Sequence, residues 1–438
     1  MSKKQAYVIS DLHIGGGEQS GGLDSFVQDE AFARFVKGIS APETTLLING
    51  DFVDFVQIPP FGHPEKAFHL LWTEGASREK LMYALAAHPQ CFGALREFIG
   101  TGGTLSICVG NHDLDWAWPG VQSDFRHEMG NPPSGRLRFA VDHAEVYEGV
   151  HIEHGHSFTP ENCPADVWKF IHDGPDGVRY LERVWGTDFM LHWWNSAKLN
   201  HPYADCVKPE YRLLISGPMS WKEKAREMWR LVVFLRRRGL PRGAVASGVR
   251  ADSPGTALRD TNPFDQFLAA VDQEDASVLQ KLADSAPEFR EAIREAYGEL
   301  SAEEREVLIS PAGKVNLPNV ETGTDDVKPF GLLRPSREKR KAEEILRHPG
   351  ITHVVFGHTH DHVDGNTPGA GLPGCWFNSG TWQPRLDLDR PDVRAKLKAQ
   401  GITYEILKDK GLYDISLRTI RIQPNPPYRA AVELDRIL

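Results

Sequence analysis

A chain of 438 residues, 40% hydrophobic and 25% charged, has the balance of a globular protein and the length of two to three domains, or of one core carrying a large insertion. Its formal net charge of −10 excludes a surface that attracts nucleic acid or acidic lipid over its whole extent. No run approaches the about eighteen apolar residues that a membrane span needs.

Met1 to Gln5 is too short and polar for the core of a signal peptide. Five cysteines without CxxC spacing predict free thiols in a reducing cytoplasm. Ala6 to Ser10 reads as a buried strand, and Asp11-Leu12-His13 follows at its carboxyl end, where open α/β sheets place their chemistry. Asp and His two apart in extended backbone point to one side. Gly15-Gly16-Gly17 marks a loop, and Phe32, Phe35, Val36 and Ile39 give Asp29 to Ile39 helical spacing. Thr44 to Ile48 is a second strand, ended by Asn49-Gly50-Asp51-Phe52-Val53-Asp54. Helices over Ser77 to Ala87 and Phe92 to Ile99 precede a third strand through Leu105, Ile107 and Val109, which ends at Gly110-Asn111-His112-Asp113. Asn and Asp are common at such turns because they cap helices and bond their own backbone. Three successive strand ends bearing metal-binding side chains go beyond turn chemistry.

Leu137 to Val141 and Ala144 to Tyr147 read as short strands of a hairpin, and Val150 to Glu153 leads to His154-Gly155-His156. From Phe158 to Gly350 aromatic residues become dense and helical spacing replaces alternation, as in Val178, Leu181, Trp185, Phe189 and His192. Ser220-Trp221-Lys222-Glu223 is a capping box opening a helix with a stripe of Trp221, Ala225, Met228, Val232 and Leu235. Leu240 to Pro263 has the Gly, Ser and Pro of a mobile linker. Helices follow over Ala276 to Leu300 and, after a capping box at Ser301, over Ser336 to Arg347, with a loop at Asn316 to Gly331. Thr352 to Phe356 is again a strand, followed by Gly357-His358-Thr359-His360, and Cys375-Trp376-Phe377-Asn378-Ser379-Gly380 with two late strands at Tyr404 to Leu407 and Ile415 to Ile422 close the chain. The expected organisation is an α/β core split into 1–157 and 350–438, around a mostly helical insertion at 158–349 that serves as lid or cap, with the linker near 240–263.

Asp11, His13, Asp51, Asn111, His112, His154, His358 and His360 form the candidate cluster. Oxygen and imidazole donors without thiolate suit Mn, Fe or Zn. The number of donors suits two ions about 3.5–4 Å apart that share a carboxylate, an arrangement used to hydrolyse phosphate esters.

Asp11-Leu12-His13, Gly50-Asp51-Phe52-Val53-Asp54, Gly110-Asn111-His112-Asp113, His154-Gly155 and Gly357-His358-Thr359-His360 reproduce, in order, the pattern DxH, GDxxD, GNHD, HG, GHxH. Over residues 6–157 and 350–383 the chain resembles the metallophosphoesterase (calcineurin-like) superfamily. The resemblance implies an α/β/β/α four-layer sandwich and two divalent metal ions, with Asp11, His13 and His360 on one, Asn111, His154 and His358 on the other, and Asp51 bridging. It implies a hydroxide between the ions that attacks a phosphodiester or pyrophosphate, His112 as acid with Asp113 fixing its ring, and Asp54 orienting a ligand. The helical segment before GHxH is similar to that of the UDP-2,3-diacylglucosamine pyrophosphatase group; the chain departs from that group in the length of the segment and in His112, where the group often has Arg.

Trp116, Trp118 and His156 are candidates for a substrate rim, although Trp in such a loop also packs within its own domain. Lys222 to Arg250 carries nine Lys or Arg against two acidic residues. It is a candidate contact for an anionic lipid surface or nucleic acid, or a solvated helix end that complements the helix dipole. Two alternatives to a small phosphodiester stand beside the main reading: a nuclease or nucleotide phosphodiesterase, and a non-catalytic scaffold that has no need of a complete ligand set.

Overall fold

The buried apolar runs assemble into two facing sheets. The computed structural model describes residues 5–60, 72–159, 161–207, 219–238, 335–366, 374–388, 390–400, 417–425 and 429–436. Strands β1 (Ala6–Ile9), β2 (Thr45–Asn49), β3 (Thr104–Cys108) and β4 (Leu137–Ala140) run parallel, and β12 (Arg418–Asn425) and β13 (Arg429–Arg436) add antiparallel, giving the order β13-β12-β1-β2-β3-β4. The second sheet has the order β10-β11-β9-β6-β5, built from β5 (Glu145–Tyr147), β6 (Val150–Ile152), β9 (His353–Phe356), β10 (His362–Asn366) and β11 (Cys375–Ser379). Here β6, β9 and β11 are parallel.

The alternation of side chains along each strand sorts residues into layers. Ile9, Leu46, Ile48, Leu105 and Ile107 face helices α1 (Asp29–Ile39), α2 (Glu74–Ala87), α3 (Pro89–Gly100) and α4 (Pro119–Glu128). Ala6, Val8 and Leu47 point the other way and meet Val150, Ile152, Val355 and Phe377 between the sheets. Val354, Phe356 and Trp376 form the outer face of the second sheet, covered by Ala342 and Leu346 of the helix at Pro335–Ile345 and its end. The result is the expected four-layer α/β/β/α sandwich. All five residues of β2 are buried, as a central parallel strand covered on both faces requires.

A separate apolar cluster joins Trp193, Trp194, Tyr203, Leu231 and Phe234 to Leu386, Leu388, Val393 and Leu397. Its side chains come in part from a π-helical turn at Met190–Trp194, which links helices α5 (Trp185–Phe189) and α6 (Asn195–Asn200), and from helix α7 (Trp221–Arg238). Helix α7 starts as its sequence predicts: Ser220 Oγ accepts the Glu223 N–H at 3.3 Å, and Glu223 Oε2 accepts the Ser220 N–H at 2.7 Å. With α5 to α7 numbered so, the helix at Pro335–Ile345 is α8 and that at Pro391–Gln400 is α9.

Several expectations are corrected. Leu137–Ala140 and Glu145–Tyr147 do not form a hairpin: β4 pairs with β3 in one sheet and β5 with β6 in the other. Val178 and Leu181 do not share a helical stripe with Trp185, because Ile171–Asp173 (β7) and Arg179–Leu181 (β8) pair as a two-stranded antiparallel unit. Strand β13 and helix α9 were not anticipated. The linker, the helices at 276–300, the capping box at Ser301, the loop at 316–331 and the strand at 404–407 lie outside the described residues. None of the five cysteines is joined in a disulfide. Among the described residues no helix is long and apolar enough to cross a membrane.

Candidate metal centre

Five parallel strands, β1, β2 and β3 of one sheet and β6 and β9 of the other, end at the same edge of the sandwich, and each delivers one of the sequence blocks there. The backbone holds these ends together. The N–H groups of Asp11, His13 and Ile14 bond the carbonyls of Gly50, Asp51 and Phe52 at 3.2, 2.9 and 3.0 Å, and the His358 N–H reaches both Asp11 carboxylate oxygens at 3.1 and 3.0 Å. Asp11, His13, Asp51, His358 and His360 all take positive φ, between 51° and 70°. Side chains other than Gly rarely adopt this conformation, which costs about 1–3 kcal/mol per residue and persists only where the surroundings enforce it. Asp11 and His13 therefore face one side through a kinked loop and not through the extended alternation expected of them. The packing is too close for a side chain at Gly357, where a Cβ would lie 2.7 Å from Asp11 Oδ2.

Among the described residues, potential ligand atoms gather in three groups, each within 4.8 Å: Asp11, His13 and His360 form one cluster and Asp51, His154 and His358 a second, while His13, Asp54 and His112 make a third group that overlaps the first. Asp51 Oδ2 lies 3.2 Å from His154 Nε2 and 3.6 Å from His13 Nε2, so it faces both clusters. Asn111 adds an amide oxygen that is buried without a hydrogen-bond partner among the described residues.

The donor chemistry fits cations. His154 donates from Nδ1 to the Asn49 carbonyl at 2.8 Å, which turns its Nε2 inward, toward Asp51 Oδ2 at 3.2 Å. His13 Nδ1 bonds Asp54 Oδ2 at 3.1 Å, leaving its Nε2 3.1 Å from His360 Nε2. Nitrogen lone pairs aimed at each other and at carboxylates are arranged for a positive charge between them, and a partner on the outer nitrogen sets the tautomer a metal ligand needs. Burial raises the carboxyls of Asp11 and Asp51, but the histidines outweigh it, led in both by His154; Asp11 is held at about 2 and Asp51 well below the usual range. Both are therefore ionised at neutral pH, as metal ligands must be.

His112 stands beside this pair of clusters, its ring 4.7 Å from that of His13. Its Nδ1 bonds Asp54 Oδ1 at 3.0 Å. Burial lowers its pKa, but the charges of Asp54 and Asp51 outweigh that and raise it to about 9. Asp54 thus steadies both His13 and His112. Asp113, expected to fix the His112 ring, does not: its carboxylate accepts the N–H groups of Gly110 at 2.6 Å and Phe52 at 2.8 Å, and Trp116 Nε1 at 3.1 Å. It clamps the loop, and burial pushes its pKa up to about 7.

The rim expectation fails for both tryptophans, because the turn after the GNHD block folds back into the core. Trp116 and Trp118 are 0% and 1% exposed, and Trp116 packs against Phe52, Phe55, Phe125 and Phe139. His156 is buried too, with both ring nitrogens unpartnered among the described residues, and it lines a shallow cleft with Cys108, Val167 and Trp168.

One neighbouring network escaped the sequence reading. Lys198, fully buried, bonds Gln57 Oε1 at 2.6 Å, Ser25 Oγ at 3.2 Å and the Asp205 carboxylate, while Asn195 Nδ2 reaches the Val56 carbonyl at 3.2 Å. Segment 195–205 therefore packs on the loop that carries Asp51 and Asp54, and the charge of Asp205 adds to those raising His112. A lone Lys on a helix carried no signal of this.

The model of the calcineurin-like phosphoesterase family matches residues 5–224, half of the chain. The chain belongs to that family. The match includes the first four sequence blocks of the calcineurin-like phosphoesterase and the segment that packs on them, and the fifth, Gly357 to His360, is brought to the same edge by strand β9. Among curated proteins none matches the chain in sequence. As a calcineurin-like phosphoesterase with these Asp and His clusters, the protein is a metal-dependent phosphoesterase.

Proposed function

We propose that the protein hydrolyses a phosphodiester or pyrophosphate at a site for two divalent ions, drawn from Mn, Fe and Zn. The observation that carries this reading is that Asp51 faces two ligand clusters, through His154 Nε2 at 3.2 Å and His13 Nε2 at 3.6 Å, with Asn111 Oδ1 buried and without a hydrogen-bond partner among the described residues. Asp11, His13 and His360 would hold one ion, Asn111, His154 and His358 the other, with Asp51 shared. When bound, such ions lower the pKa of a water and neutralise charge on the phosphoryl oxygens.

The chain's own residues do the rest. Asp54 fixes the rings of His13 and His112 through their Nδ1 atoms, so that the remaining nitrogen of each faces the reaction space. His112, whose charged form the neighbouring Asp54 favours, donates its proton from Nε2 to the leaving oxygen. Asp113 holds Gly110 and Phe52 and so sets the position of Asn111 and His112. Residues 158–349 are read as an insertion into a core formed by 1–157 and 350–438, on the support that β6 and β9 pair across it; helix α8, although within that range, packs on the core sheet.

The test is hydrolysis of bis-p-nitrophenyl phosphate and p-nitrophenyl phosphate by metal-stripped protein re-supplied with Mn, Fe, Zn or Mg. Metal-dependent turnover of the diester, reduced about 10²- to 10⁴-fold in His112→Ala as for loss of a general acid and abolished in Asp51→Ala, is expected. A preference for the monoester would overturn the diester assignment. Failure of the wild-type protein to bind metal would overturn the whole reading.

A further inference from the structure

Helix α8 is densely charged, yet the stripe it turns toward the second sheet, with Ala342 and Leu346, begins with an acid, Glu338, only 3% exposed. Glu338 Oε1 accepts hydrogen bonds from Thr359 Oγ1 at 3.1 Å and from Asn378 Nδ2 at 3.0 Å. Asn378 Nδ2 also reaches the Gly357 carbonyl at 2.8 Å and Thr359 Oγ1 at 3.0 Å, while its Oδ1 accepts the Gly380 N–H at 2.9 Å. Gly357 and Thr359 alternate with His358 and His360 in one loop, and both histidines hold the costly positive φ. A buried carboxylate in an otherwise apolar stripe is unfavourable for packing alone. Here it bonds to the back of the loop whose front presents two imidazoles.

We propose that Glu338 is a positioning residue which, through Thr359 and Asn378, holds the loop that offers His358 and His360 to both metal positions at once. This inference rests on the two-ion reading above. His358 and His360 are assigned to different ions, so removing Glu338 weakens both together, whereas removing Asn111 weakens one.

The experiment titrates Mn²⁺ into metal-stripped full-length protein by calorimetry, with bound metal counted by elemental analysis and folding checked by circular dichroism. Glu338→Ala is expected to weaken both binding events by about 10- to 100-fold, the usual effect of losing a group that orients metal ligands. Glu338→Gln keeps the Oε1 acceptor and restores both, and burial, which pushes the Glu338 carboxyl up to about 8, makes the neutral amide a close stand-in. Asn111→Ala should weaken a single event. Wild-type affinity for both ions in Glu338→Ala, or loss of only one, overturns the inference and leaves the two-ion reading intact. If Glu338→Ala does not fold, Thr359→Val decides by the same criterion. Fewer than two ions bound by the wild-type protein overturns the two-ion reading itself.

Discussion

The kink at Asp51 shows what brings the site together. With φ at 51°, the residue leaves its strand at an angle that lets one carboxylate face both clusters, while the N–H of His112 bonds its Oδ1 at 2.9 Å. The identity of these residues was legible in the sequence because ligand chemistry restricts each block to a few residue types. Their backbone conformation was not, since nothing in Asp-Leu-His or Gly-His-Thr-His marks left-handed φ at residues other than Gly. The same limit explains why Asp54, expected to orient a ligand and bonded to His13, also takes the His112 ring expected of Asp113: both follow a strand, and only the folded loops decide which carboxylate meets an imidazole and which meets backbone N–H groups. Asp54 then carries a prediction. Asp54→Ala removes the Nδ1 partner of His13 and of His112 together, so Mn²⁺ affinity at the cluster of Asp11, His13 and His360 should fall by about 10- to 100-fold. The rate should fall further than occupancy explains, because His112 also loses its anchor. Diester turnover at saturating metal measures the second part; a full rate there would show that Asp54 serves the metal alone.

At the level of whole elements, helix α1 matched its sequence spacing at both ends, because an apolar stripe acts locally, while α2 and α3 begin three residues ahead of the expected Ser77 and Phe92. The hairpin expected from Leu137 to Tyr147 failed for the opposite reason: two short strands in sequence say nothing about which sheet each joins. Val178 and Leu181 fit a helical stripe equally well, yet Leu181 sits in a strand pair and Val178 just before it, a known ambiguity of short apolar patterns. One link between elements has a measurable pH signature. His88, at the junction of α2 and α3, bonds Asp24 Oδ2 at 2.8 Å and Asp29 Oδ1 at 2.9 Å, tying both helices to the start of α1 and the loop before it. Burial works against its charge, but Asp24 and Asp29 outweigh that and raise its pKa from 6.5 to about 9. A raised folded-state value stabilises the protein fully below pH 6.5 and progressively less as the pH climbs through about 9. The difference amounts to about 3 kcal/mol. His88→Gln should therefore flatten the fall in urea midpoint between pH 6.5 and 9.5, and it should destabilise more at the lower pH. Equal destabilisation at both would mean that the imidazole is neutral in the fold.

The molecule as a whole is two sheets joined by an apolar layer of Ala6, Val8, Leu47, Val150, Ile152, Val355 and Phe377, and its candidate site lies across that join. Each proposed ion takes ligands from both sheets: Asp11 and His13 with His360 in one case, Asn111 with His154 and His358 in the other. Sequence alone could not place β9 beside β6, because that pairing closes a gap of some 200 residues whose length carries no register. Once it is closed, metal binding and sheet packing are linked, since the unfolded chain scatters the ligands and binds the ions far more weakly. At free metal about a hundredfold above its dissociation constant, binding to the native state alone adds about 2.7 kcal/mol. Removing metal with EDTA should therefore lower the melting temperature by several degrees, and adding Mn²⁺ back should restore it. In Asp51→Ala, which removes the shared ligand, the gap between loaded and stripped protein should shrink. Leu47→Ala, in the layer between the sheets, should lower both states alike, by about 2–5 kcal/mol, and leave the gap unchanged. A melting temperature indifferent to metal in the wild-type protein would mean that the folded chain binds the ions no better than the unfolded one, and would overturn the metal-site reading.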